Sequence, residues 1–195
     1  MPDELDVLQA SLLHRLRLPD PLGPEEGDAA FDQHVLLATK IHRAACLNLA
    51  RNDGKGWIRF LTTYFPDGRN GPQDARLLWT NWRVGLLKDR AARAGVSLTH
   101  GHPEQHWKPD DHGALCIDLE SMWDDYEHAV NQFVDALATD EVRADRVLTR
   151  YRERTWTERP FMLLPHMTGP AGKSRVMTLL PVGGVTAVSP PPPRS

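Results

Sequence analysis

The stretch of sequence that decides the fold class is VSLTHGHPEQHWKPDDHGALCIDL, residues 96–119. Val96–Gly101 alternates apolar and polar residues, which is the pattern of a half-buried strand. Gln105–Lys108 and Ala114–Leu119 predict two further strands, and the turn-forming residues Pro109–Gly113 between them predict a hairpin turn. We therefore expect a small antiparallel sheet in this part of the chain.

Helical periodicity dominates the sequence on both sides of this segment. Residues 57–65 suit a strand by composition and a helix by spacing. We predict a helix there, because periodicity is the stronger signal and Asp53 can cap it. Ser121, followed three residues later by Asp124, predicts a capping box at the start of another helix. The other predicted helices cover residues 3–17, 31–51, 73–93, 121–138 and 140–154.

The predicted fold class is α+β. A mostly helical N-terminal half is expected to pack on the small antiparallel sheet at about 96–119, followed by one or two helices. Phe161–Leu164 and Val176–Leu180 predict a C-terminal hairpin.

Proline-rich segments mark the ends of the predicted domain. Residues 1–24 are expected to form an N-terminal helix and a Pro-rich linker, and the sequence leaves open whether this helix docks separately or serves as an arm. Four consecutive prolines predict a disordered tail at 189–195. Residues 25–188 remain for a single globular domain.

Composition narrows the class of protein. The chain carries 23 basic and 26 acidic residues, a formal charge of -3, which disfavours nucleic acid as a partner bound by charge alone. No apolar run approaches the roughly 20 residues of a membrane-spanning helix, and the acidic N-terminus does not resemble a signal peptide. Two cysteines indicate a reducing compartment, and the preference for Arg over Lys is typical of a GC-rich bacterial genome. We therefore expect a cytoplasmic bacterial protein with no membrane contact.

A histidine cluster is the local feature that departs most from a random distribution. His100 and His102 are two apart, so they share a face if the strand continues through them. Imidazole is a good zinc ligand, and a third ligand would come from His106 or Glu104. Asp118, on a neighbouring predicted strand, would be a further ligand or would orient one of the ligands. His100, His102, His106 and Asp118 thus predict a divalent metal site, with an open position that would activate a water for hydrolysis. The alternative is that they are polar residues of an exposed hairpin.

Two family motifs are similar to this string. It resembles the first metal motif of metallo-β-lactamase-like hydrolases, in which His100, His102 and Glu104 match two histidines and an acid, and His106 stands one residue late. The string is also similar to the first cupin motif, with His106 where a glutamate is expected. The first resemblance implies a metal-dependent hydrolase.

Two further features concern partners. Arg143, Arg146, Arg150 and Arg154 fall on one face of a predicted helix, where they would grip phosphates or form an ordinary solvated surface. Trp79 precedes Trp82 on a predicted helix and is expected to be half exposed at a partner surface.

Three functions follow from these features. The leading expectation is a non-catalytic accessory or regulatory protein that acts through protein–protein contacts. The alternative is a small metal-dependent hydrolase with its site at residues 100–106. The third is phosphate or nucleic-acid binding through the arginine stripe at 143–154. Zinc is the candidate cofactor, and no other is indicated.

Overall fold

A computed structural model describes residues 2–14, 26–50, 52–66, 71–155, 161–162 and 180–181. The chain divides into two compact units, Met1–Arg150 and Tyr151–Ser195. The predicted tail at 189–195 and most of the predicted Pro-rich linker lie outside the described residues.

The described chain is mostly helical. Its α-helices are α1 (Pro2–Leu13), α2 (Glu26–Leu49), α3 (Gly54–Tyr64), α4 (Pro72–Leu77), α5 (Leu119–Ala138) and α6 (Glu141–Thr155). α4 continues into π-helical turns at Leu78–Arg83 and Gly85–Asp89. Two short strands, β1 (Val96–Thr99) and β2 (Leu115–Asp118), lie between this helix and α5.

α3 confirms that residues 57–65 are helical. Asp53 precedes it in an extended conformation, and its Oδ1 accepts a hydrogen bond from the Gly56 N–H at 2.9 Å. This bond satisfies one of the free donors at the start of the helix. The buried side chains of α3 recur at helical spacing, so one face enters the core. They are Trp57, Phe60, Leu61 and Tyr64.

The helix predicted at 73–93 ends earlier, at Asp89. Arg90 adopts a left-handed conformation with φ 56°, and the chain then turns back along the helix. The Arg93 N–H donates to the Asn81 carbonyl at 2.8 Å, and Asn81 Nδ2 donates to the Ala94 carbonyl at 2.6 Å. A Cβ on Gly85 would lie 2.6 Å from the Ala91 carbonyl oxygen, so this return depends on glycine.

The sheet is parallel, and the prediction of an antiparallel sheet at 96–119 is wrong. β1 pairs with β2 in parallel, with Val96 opposite Leu115 and Thr99 opposite Asp118. The predicted middle strand at 105–108 does not form, because a single 3-10 turn at Pro103–Gln105 bends the chain. The antiparallel pattern is reduced to one bridge between Pro109 and Leu115.

α5 is the central helix of the first unit and contacts α1, α2 and α3. Trp123, Tyr126, Phe133 and Leu137 are among its buried side chains. α1 packs along α5, where the Tyr126 hydroxyl donates to the Leu12 carbonyl at 3.1 Å. The N-terminal helix therefore belongs to the core of this unit.

The second unit is described only in part. β3 (Phe161–Met162) pairs antiparallel with β4 (Leu180–Pro181), with Phe161 opposite Pro181. This pairing agrees with the predicted C-terminal hairpin at these residues, although β4 includes Pro181, beyond the predicted second strand.

Candidate functional site

The first two histidines of the predicted metal site lie on the surface, beyond the end of β1. The strand stops at Thr99, and Gly101 turns the chain with φ 73°, so the alternation that would align the two rings is lost. His100 Nε2 lies 3.6 Å from a Glu120 carboxylate oxygen. His102 Nδ1 lies 3.4 Å from a carboxylate oxygen of Glu104. The two rings therefore have different carboxylate neighbours.

His106, in contrast, is buried and has hydrogen-bond partners on both ring nitrogens. The backbone N–H of Asp118 donates to Nδ1 at 3.0 Å. Nε2 lies 3.1 Å from Asp125 Oδ2, which also accepts from Trp107 Nε1 at 2.7 Å. Because Nδ1 accepts, the neutral ring carries its proton on Nε2 and donates it to Asp125. This arrangement links the loop before β2 to α5.

Asp118 caps α5 and is fully buried. Its Oδ1 accepts from the Ser121 N–H at 3.1 Å and from the Ser121 hydroxyl at 3.0 Å, and its Oδ2 accepts from the His102 N–H at 2.9 Å. Burial opposes ionisation, but these hydrogen bonds outweigh it and hold the pKa of Asp118 below its usual value. The helix therefore begins at Leu119, and Ser121 is not its cap.

The four predicted ligands thus take separate roles in this structure. Within the described residues, no group of three or more His, Cys, Asp or Glu side chains is arranged to hold a metal ion. The zinc site at His100, His102, His106 and Asp118 stays a prediction.

A cleft of about 260 Å³ lies beside this loop and reaches Cys116. Burial, with a smaller contribution from the nearby Asp110 carboxylate, raises the pKa of the Cys116 thiol. A thiol with a raised pKa is protonated at neutral pH and is a poor nucleophile. The other residues that line the cleft are Glu104, Gln105, Lys108, Pro109, Asp110 and Asp111.

The arginine stripe is divided between the core and the solvent. Arg143 donates to Asn48 Oδ1 at 2.7 Å and to the Tyr64 hydroxyl. Arg150 donates to the Leu47 carbonyl at 2.8 Å, near the end of α2, where helix carbonyls lack partners. Arg146 is exposed, and the side chain of Arg154 lies outside the described residues. Two of the four guanidinium groups therefore serve packing contacts between helices.

A second cluster joins α2, α3 and the π-helical turns, and it centres on Trp79. The indole lies directly against Gly54, where a Cβ would come within 2.8 Å of its Nε1. Its ring centroid is 5.6 Å from that of His42 and 5.8 Å from that of Trp57. These contacts hold one side of Trp79 while the residue as a whole remains half-buried.

Cys46 and His42 stand four residues apart on α2, beside this cluster. Cys46 Sγ is 3.6 Å from His42 Nε2, and the same nitrogen is 2.6 Å from Asn52 Oδ1. In a catalytic triad, the nucleophile and the orienting group contact opposite nitrogens of the ring. Here Cys46 Sγ lies 3.6 Å from Nε2 and 4.0 Å from Nδ1, Asn52 contacts Nε2, and Cys46 is only 2% exposed. The trio is therefore a packed polar contact in this structure.

The Arg83 guanidinium lies over the Trp79 ring, with its central carbon 4.4 Å from the ring centroid. This is the distance of a cation–π contact. Its Nε is buried and has no hydrogen-bond partner among the described residues. Burial lowers the pKa of Arg83 from its ordinary value, and the nearby Cys46 offsets only part of this effect.

Leu87 extends this surface by one further turn, and its side chain is 44% exposed. Residues four apart on a helix are neighbours, so Trp79, Arg83 and Leu87 form one row beside the buried row of Leu78, Trp82 and Leu86. We call these three residues the Trp79 stripe. The sequence indicated a partner surface at Trp79 but not the role of Arg83, although the spacing of the three residues was visible.

No protein-family model, curated protein or solved structure matches this chain. Among the described residues, no helix has both the length and the apolar character needed to cross a membrane.

Proposed function

We propose that this protein is an accessory or regulatory protein that acts through contacts with a protein partner, and that the Trp79 stripe is its contact surface. The observation that carries the proposal is the stacked Trp79–Arg83 pair, half-buried and adjacent to exposed Leu87. Trp and Arg are the residues most enriched where interfaces concentrate their binding energy.

The local structure supports this assignment in two ways. Trp79 is already fixed against Gly54, His42 and Trp57, so little conformational entropy is lost when a partner covers it. The stripe also lies on π-helical turns, which are rare and occur frequently at functional sites.

The other two predicted functions need side chains that are free to bind a ligand, whereas several of these side chains make contacts within the protein. Zinc-dependent hydrolysis requires ring nitrogens and carboxylate oxygens that are free to coordinate. Phosphate binding by the arginine stripe requires guanidinium groups that Arg143 and Arg150 use to bind Asn48 and Leu47. Both functions, and the cytoplasmic location, stay predictions from the sequence.

Quantitative co-purification tests the proposal. The full-length protein and its Trp79→Ala and Leu87→Glu variants are recovered from cell extract beside a control, Val142→Glu. Val142 is 63% exposed and lies on α6, outside the stripe. We expect at least one partner protein to be recovered with the wild type and with the control. The recovered amount of that partner should be about tenfold lower with both stripe variants. Recovery that is the same for all four proteins would reject the Trp79 stripe as the contact surface.

A further inference from the structure

We propose that the partner group received by the Trp79 stripe is a carboxylate, presented by an acidic segment of a protein and paired with the Arg83 guanidinium. This inference rests on the proposed function and specifies the chemistry of its partner.

The first argument is that the donors of Arg83 are not used within the described part of the chain. Its Nε is buried and has no hydrogen-bond partner among the described residues. Other arginines of this unit are satisfied: Arg93 Nε donates to Asp89 at 2.5 Å, and Arg150 donates to the Leu47 carbonyl at 2.8 Å. Because Nε is buried, a carboxylate from outside would bind the two terminal amino groups of the Arg83 guanidinium.

The second argument is geometric. A guanidinium offers a planar fork of donors that matches a carboxylate with two parallel hydrogen bonds. Stacking on Trp79 covers one face of the Arg83 fork and limits its motion. The fork is therefore oriented before a ligand arrives, which reduces the entropy lost on binding.

The third argument is charge complementarity. Although the whole chain is negative, residues 72–93 carry five basic residues and two acidic ones. The helix and the turn that follows it therefore carry a net charge of +3, which attracts an acidic segment. The basic residues are Arg76, Arg83, Lys88, Arg90 and Arg93, and the acidic ones are Asp74 and Asp89.

The neighbours of Arg83 favour a protein carboxylate over the phosphates of a nucleic acid. Leu87 and the indole of Trp79 lie beside it in the same row, and both offer apolar contact area. An acidic protein segment can place apolar side chains on them. The phosphates of a nucleic-acid backbone offer no apolar side chain for these contacts.

A titration with hexaglutamate tests the inference, with the Arg83 side-chain Nε–H signal in nitrogen-15 NMR and tryptophan fluorescence as readouts. We expect a saturable shift of the Arg83 signal. Arg83→Gln should weaken hexaglutamate binding about tenfold, because a charge-assisted hydrogen bond is lost. Arg83→Lys keeps the positive charge but lacks the planar fork of donors, so its affinity for hexaglutamate should lie between those of the wild type and Arg83→Gln. If Arg83→Gln fails to fold, the Arg83→Lys variant provides the test.

Arg76→Gln is the matched control, because Arg76 is exposed on the same helix and outside the stripe. We expect its affinity for hexaglutamate to stay within about twofold of the wild type. An equal loss in Arg76→Gln and Arg83→Gln would show that binding follows total charge and would overturn the inference. Tighter binding of a short single-stranded oligonucleotide or of inorganic phosphate at the same ionic strength would also overturn it, in favour of a phosphate ligand.

The two proposals can fail separately. The titration uses no native partner, so it can succeed even if no cellular protein depends on the stripe. Conversely, a partner lost on Trp79→Ala but retained by Arg83→Gln would keep the proposed function and reject the carboxylate.

Discussion

At the scale of single residues, His106 shows how a histidine of a metal-like motif can serve the core instead. Nδ1 accepts from the Asp118 backbone and Nε2 donates to Asp125, so neither nitrogen can coordinate a metal without breaking a hydrogen bond. A metal must replace one of these bonds before it can bind. The exposed rings of His100 and His102 carry no such cost, but they have different carboxylate neighbours.

His34 provides a prediction about pH. It is 2% exposed, and burial lowers its pKa from 6.5 to about 4, although the Thr99 carbonyl and Asp118 act in the opposite direction. As pH falls, the unfolded chain therefore binds a proton at this position before the folded protein does. We expect stability to decrease as pH falls from 6.5 to about 4, with His34 alone contributing roughly 3 kcal/mol.

Urea unfolding across this pH range checks the prediction, with His34→Gln as the comparison. The variant cannot titrate at this position, so its stability should depend less steeply on pH between 6.5 and 4. The charged and titratable groups nearby, Asp118, His100 and His106, remain in both proteins. Parallel pH profiles for the two proteins would contradict the assignment of a buried, neutral His34.

At the scale of elements, the start of α5 is determined by Asp118. We expect Asp118→Ala to destabilise the protein by about 2 kcal/mol, because the Ser121 N–H at the helix start and the His102 N–H both lose their acceptor. Asp124→Ala, which removes the exposed acid of the capping box predicted from sequence, should change stability by less than about 0.5 kcal/mol. Chemical denaturation of both variants decides between the two caps, and a larger effect at Asp124 would favour the sequence-based one.

Periodicity and capping residues predicted the helices well, because both patterns lie within the residues of the helix itself. The spacing from Trp57 to Tyr64 and the cap at Asp53 are sufficient to specify α3. The direction of β2 depends instead on the path of the chain between β1 and β2, which neither periodicity nor capping predicts. Pro103 begins a tight turn, Trp107 adopts a left-handed conformation with φ 59°, and the chain then enters β2 parallel to β1. Strand pairing is a tertiary choice, so composition alone could not decide it.

The candidate site was only partly predictable for the same reason. The position of Trp79 beside Trp82 was visible in the sequence and indicated a partner surface. Whether Arg83 Nε finds a partner depends on which acceptors the fold brings near, and this is a property of the assembled helices. Likewise, the sequence grouped His100 with His106, but the fold exposes one ring and buries the other.

At the scale of the first unit, α1 is joined to the rest of the core by polar and apolar contacts. Gln9 Nε2 donates to Asn131 Oδ1 at 2.7 Å, and the Leu12 carbonyl accepts from the Tyr126 hydroxyl at 3.1 Å. Leu8 is fully buried, whereas its neighbour Val7 is 58% exposed. This arrangement is expected to make α1 unfold together with α5 rather than as an independent arm.

The corresponding prediction compares Leu8→Ala with Val7→Ala. Removing the buried side chain should destabilise the whole unit by about 3 kcal/mol, because a cavity opens against α5. The exposed substitution should cost less than about 0.5 kcal/mol. The tryptophans of the first unit report on α3, α5, the π-helical turns and the loop before β2. Far-ultraviolet circular dichroism reports on all helices, so coincident transitions by the two methods would indicate cooperative unfolding. If Leu8→Ala left the fluorescence transition unchanged, α1 would be an arm that folds separately from the core.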